Sequence, residues 1–87
     1  MISVELLQKF LDTVKKDELD FIICLKQKLM SGDGQEDLIT WEINCNFNYE
    51  IKDQALFIKE FSKFNDEGQN YYYLFDIKQI AYLTTYF

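Results

Sequence analysis

The sequence predicts an α+β domain of two layers, with the order α-β-β-α-β-β and two helices packed on one face of a mostly antiparallel sheet. Three observations lead there. Residues 3–16 carry an apolar stripe with helical spacing. Residues 20–49 hold two period-two runs around a glycine-containing turn. A strong stop signal near residue 68 is followed by an aromatic, strand-prone segment. At 87 residues the chain is expected to form a single domain, residues 1–87, burying roughly 60% of its unfolded surface.

The first helix is read from Val4, Leu7, Phe10, Leu11 and Val14, which recur at i, i+3, i+4 and i+7, with Ser3 as N-cap. Lys15 and Lys16 stand at its C-terminal end, where the helix dipole favours cations. Asp17, Glu18 and Asp20 then make a solvated acidic turn. Odd positions Phe21, Ile23, Leu25, Gln27 and Leu29 in the first run, and Ile39, Trp41, Ile43, Cys45 and Phe47 in the second, form one core face of a long hairpin turning at residues 31–35. A turn centred near Gly34 sets Leu25 opposite Ile43, Phe21 opposite Phe47 and Lys26 opposite Glu42. Residues 48–53 read as a connection. A second helix is expected over residues 53–64 from Phe57, Ile58, Phe61 and Phe64, with Asp53 as N-cap. Residues 65–70 stop it. Tyr71 to Phe75 and Ile80 to Phe87 read as strands around a short insert at residues 76–79, either turn-like or a single helical turn.

Composition narrows the function. Fifteen acidic against nine basic residues give a net charge of −6; the aromatic share of 17% argues for a packed fold rather than disorder. All nine basic residues are lysine, and there is neither arginine nor histidine. An AT-rich genome explains missing arginine equally well, but an acidic surface without guanidinium forks is a poor direct reader of DNA or RNA. Cys24 and Cys45 fall on opposite faces of the hairpin, Cys45 toward the core, and are expected to stay unbridged in a reducing compartment. No basic segment followed by an apolar run opens the sequence, and no apolar run approaches the ~18–20 residues of a membrane span, so a cytoplasmic location is expected.

Chemistry at neutral pH requires a base titrating near 7, an activated nucleophile or a metal site, and these residues supply none in a recognisable pattern. Neither thiol has a histidine to activate it. Glu42 with Asp20 or Glu50 would be solvated carboxylates with ordinary acidity. The carboxylates of residues 33–37 lack the alternating ligands and closing glutamate of a hand-type calcium loop. No phosphate-binding glycine motif and no C-x-x-C occurs. The expectation is a protein that is not an enzyme and carries no cofactor and no metal.

Two features exceed what a small core requires. One is the tyrosine run Tyr71, Tyr72 and Tyr73, at least one of which must face away from the core, since tyrosine brings interface area at low entropy cost. The other is a carboxylate and carboxamide surface over Asp17, Glu18, Asp20, Glu42, Asn44, Asn46, Asn48 and Glu50. Together they describe an acidic module that binds a basic groove on a larger protein, with carboxylates standing where phosphates would sit. In size, acidity, single-domain layout and lack of catalytic groups the chain resembles the small phage-encoded inhibitors of bacterial defence, including anti-CRISPR proteins. The resemblance is one of type and assigns no residue. It implies a nucleic-acid-handling effector as the partner and inhibition by nucleic-acid mimicry. An immunity protein or antitoxin against a basic toxin, and a homodimeric structural module paired through its tyrosine strand, are the competing expectations. The chain is expected to be a monomer or homodimer with no membrane contact.

Overall fold

The computed structural model describes residues 2–30, 36–62 and 69–85. Among them are one α-helix and six strands: α1 (Val4–Lys16), β1 (Phe21–Met30), β2 (Glu36–Ile43), β3 (Phe47–Lys52), β4 (Ala55–Phe61), β5 (Asn70–Asp76), then a single 3-10 turn (Ile77–Gln79) leading into β6 (Ile80–Thr85). The strands form two three-stranded antiparallel sheets, ordered β2-β1-β6 and β3-β4-β5. The two-helix, two-layer α-β-β-α-β-β arrangement is therefore wrong: the fold is mostly sheet.

The first helix follows the apolar stripe. Leu7, Leu11 and Val14 are buried, and Ser3 Oγ accepts the Leu6 N–H at 3.1 Å. The helix ends in a Schellman motif, in which the Leu19 N–H reaches Val14 O at 2.9 Å and the Glu18 N–H reaches Lys15 O at 3.3 Å. Glu18 takes the left-handed position with φ 54°, a conformation that normally favours glycine. Half-buried Leu19 then packs against the core cluster.

The long hairpin is correct in its first strand and in odd-with-odd pairing, but its register and extent are not as expected. Phe21 pairs with Ile43 and Ile22 with Glu42, so Lys26 does not face Glu42; a bulge between Cys24 and Lys28 shifts the pairing that follows. The expected turn at residues 31–35 lies outside the described residues. The second strand does not run on to residue 49. It stops at Ile43, turns a corner through residues 44–46 and restarts as β3 in the other sheet, so residues 48–52 belong to a strand rather than a connection. Apolar alternation concealed this corner because Ile43 and Phe47 are both buried on either side of it.

Among the described residues of 53–64 there is no helix. Residues 55–61 form β4, paired with β3 through a two-residue turn in which Asp53, expected to be a helix cap, adopts φ 57°. Phe64 and residues 65–68 of the stop signal lie outside the described residues. The Phe57, Ile58 and Phe61 spacing misled because β4 is apolar on both faces, while its buried row of Leu56, Ile58 and Glu60 contains an acid.

One core joins the helix to both sheets. Phe21 of β1 meets Phe47 of β3 at 5.1 Å between ring centroids, and Phe10 of α1 approaches Phe21 edge-on at 6.0 Å. Leu56, Ile58, Phe75, Ile77 and Ile80 complete the cluster. Trp41, read as core, shares the inward side of β2 with Ile43 but lies at the rim, 45% exposed, against Tyr73. Cys24, read as outward, is fully buried on the central strand between Thr40 and Tyr82, whereas Cys45 is half-buried at the corner; both thiols are free.

Because Glu18 occupies a left-handed position, Glu18→Gly is expected to raise stability by about 1 kcal/mol, read as a higher urea midpoint with an unchanged slope. An unchanged or lower midpoint would show that the Schellman turn is unstrained.

Candidate functional site

The corner between the sheets is held by polar side chains. Glu60 of β4 is only 7% exposed. Its carboxyl accepts the Asn44 N–H at 2.7 Å and the Tyr73 hydroxyl at 2.9 Å, which satisfies a group that would otherwise be costly to bury. The Asn44 amide donates to Phe61 O at 2.9 Å, and its Oδ1 accepts the Asn46 N–H at 2.7 Å. The Phe61 N–H returns to Asn46 O at 2.8 Å. On the β1 side, Asp20 Oδ1 accepts the Cys45 N–H at 2.8 Å, and its backbone carbonyl accepts the Thr85 hydroxyl.

These contacts give several expected partner-binding residues structural positions. Asp20 and Asn44 are half-buried in the corner, and Asn46 closes it from the exposed side. Asp17 and Glu18 form the exposed turn after α1, and Glu42 is exposed on β2 opposite Ile22. Asn48 and Glu50 stand on the outward side of β3, with Asn48 accepting the Lys15 ammonium. The eight residues thus do not share one strand face. The tyrosines divide by parity: Tyr72 is 73% exposed on the outward side, while Tyr73 turns inward to Glu60, stacked at 10° on Phe75. Tyr71 shares the inward parity but lies near the strand end and is exposed.

The outward side of β3-β4-β5 brings together residues that the sequence reading kept apart. Cross-strand rows run Asn48–Lys59–Tyr72 and Glu50–Phe57–Leu74, flanked by Lys52–Ala55–Asp76. Leu74 is 66% and Phe57 44% exposed. Lys59 Nζ lies 5.1 Å from the Phe61 ring centroid and 5.6 Å from that of Tyr72, within cation–π range of both. A shallow concavity of about 260 Å³ opens here, with Asn48, Glu50, Phe57, Lys59 and Tyr72 among its lining residues. An antiparallel sheet with one face in water normally alternates apolar-in and polar-out; this face departs from that rule at Phe57, Phe61, Tyr72 and Leu74. Reading residues 55–61 as a strand would have exposed the surplus, because Leu56 and Ile58 already fill the inward row.

The functional groups on this face are aryl, alkyl, ammonium, carboxylate and carboxamide. Among the described residues no three histidine, cysteine, aspartate or glutamate side chains converge as metal ligands, and no helix is long and apolar enough to cross a membrane. No protein-family model, curated protein or solved structure matches the chain.

Two tyrosines report the packing. Burial, followed by the hydrogen bond to Glu60, pushes Tyr73 from 10.0 up to about 12; burial, followed by the hydrogen bond to Asp12, does the same for Tyr49. Each folded-state value lies above the unfolded one, so the folded state retains protons that the unfolded chain loses. The associated stability is fully present below about pH 10 and is lost as pH rises toward about 12. Tyr73→Phe is expected to cost about 1–3 kcal/mol at neutral pH by removing one donor from buried Glu60, and to make the alkaline loss shallower. Urea melts across the pH range check both, and a neutral-pH stability equal to wild type would remove Glu60 from its structural role.

Proposed function

We propose that the chain is a non-enzymatic inhibitor that binds a larger, basic protein through the outward face of β3-β4-β5. The observation that carries this reading is the apolar group of Phe57, Tyr72 and Leu74 on a solvent-facing sheet surface, rimmed by Asn48, Glu50, Lys52 and Asp76. Contiguous exposed apolar surface with a polar rim is characteristic of protein interfaces, and tyrosine is enriched among residues that dominate binding energy.

The net charge of −6 supplies the second element. Exposed Asp17, Glu18, Glu42 and Glu50 lie around the molecule rather than in one row. Their role in this reading is long-range attraction to a lysine- and arginine-lined surface, while Tyr72, Leu74 and Phe57 supply short-range contact. The partner is a nucleic-acid-handling effector whose basic site is occupied by this acidic protein, as phage-encoded inhibitors of bacterial defence do. Two free thiols, Cys24 buried and Cys45 half-buried, suit a reducing cytoplasm as the place of action.

The test is capture from a nuclease-treated lysate of a bacterium carrying CRISPR effectors, using wild type and the Tyr72→Ala/Leu74→Ala variant side by side. Wild type is expected to retain a basic nucleic-acid-binding protein that elutes at high salt. The variant should bind it about tenfold or more weakly with its melting temperature preserved. Equal retention by both proteins would remove the sheet face from the interface, and retention of acidic proteins alone would remove the basic target.

A further inference from the structure

We infer that β5 is a self-association edge, through which two copies of the chain join their β3-β4-β5 sheets across a twofold axis into one six-stranded antiparallel sheet. The inference rests on the strand edge and does not depend on what the outward face binds.

β5 ends its sheet, so among the described residues the backbone groups it points away from β4 meet no other strand. Such an edge is a template for further pairing unless it is protected by charge, proline, a bulge or a covering element. The other edges carry such devices. β3 is tied to α1 by side chains, with Lys15 donating to Asn48 and Asp12 accepting the Tyr49 hydroxyl. β2 carries exposed Glu42 and faces a bulge in its pairing with β1. β6 is bulged at Ala81, which falls between the Cys24–Tyr82 and Leu25–Ile80 pairs. Among the described residues β5 shows none of these: it pairs residue for residue with β4 from Asn70 to Asp76, and no charged residue or proline lies between those ends.

A second copy fits this edge by its own sequence. With the twofold axis at Tyr73, all seven residues find antiparallel partners: Tyr72 faces Leu74 of the second copy, Tyr71 faces Phe75, and Asn70 faces Asp76. Both carboxylates thus meet carboxamides, and no like charges are directly opposed, an important condition for a chain of charge −6. Same-face pairing sets exposed Tyr72 against exposed Leu74 on the outward side, extending the Phe57 surface of each copy across the axis.

The decisive experiment is sedimentation equilibrium from micromolar to millimolar concentration. Wild type should approach twice the 10.5 kDa chain mass. The Tyr72→Lys/Leu74→Lys variant, which opposes lysines across the axis, should remain monomeric with an unchanged far-ultraviolet circular dichroism spectrum. Hydrogen exchange of wild type at low and high concentration provides a check independent of any variant, with the gain in amide protection expected along β5. A wild-type monomer throughout the range, a folded variant that still dimerises, or added protection confined to β2 or β6 would overturn the inference.

Discussion

The buried carboxyl of Glu60 is the interaction on which the two-sheet architecture depends. It accepts the Asn44 N–H from the corner and the Tyr73 hydroxyl from β5, joining three chain segments at a site only 7% exposed. Burying an acid is unfavourable unless its oxygens find donors, so these partners must be positioned as the chain folds. Asn44 continues the network through Phe61 O and Asn46, turning β2 out of one sheet and into the other. A carboxyl in a core position thus fixes a corner that apolar packing alone would not specify.

The outward face follows from the same constraint. Once Leu56, Ile58 and Glu60 fill the inward row of β4, parity turns Phe57, Lys59 and Phe61 outward. β5 is oriented by Tyr73, whose hydroxyl must reach Glu60; this sends Tyr72 and Leu74 outward on either side of it. The exposed apolar group is therefore coupled to the buried polar one: the register that satisfies Glu60 also assembles Phe57, Tyr72 and Leu74 on one surface. The buried network and the exposed apolar surface share that register on opposite faces of the same strands.

The acidic residues divide in a similar way. Asp20 shares in building the corner, whereas Asp17, Glu18, Glu42 and Glu50 remain exposed. A single charged strand surface would require β2 and β3 to be continuous, and the turn at Asn44 prevents it. The exposed carboxylates are therefore distributed over the molecule rather than gathered on one strand face.

Local signals by themselves determined α1 with its Ser3 cap, the extent of β1, the strand character of residues 71–75, the short insert after Asp76 and the presence of an outward tyrosine in the run 71–73, while which of the three it is was set by the pairing of β5 with β4. In each case the stripe, alternation or capping residue acts within a few positions of the element it specifies. The hairpin register, the corner at residues 44–46 and the strand at residues 55–61 were decided only by tertiary structure. Alternation is the same on both sides of the corner, so the sequence reads as continuous where the chain changes sheets. In β4, Glu60 occupies an inward position that becomes tolerable only when Asn44 and Tyr73, 16 and 13 residues away, supply its hydrogen bonds. A periodicity window weighs that glutamate as a surface residue and reads the surrounding phenylalanines as a helical stripe. The surface formed by Phe57, Tyr72 and Leu74 was hidden for the same reason: it exists only once the distant partners of Glu60 have set which way each side chain points.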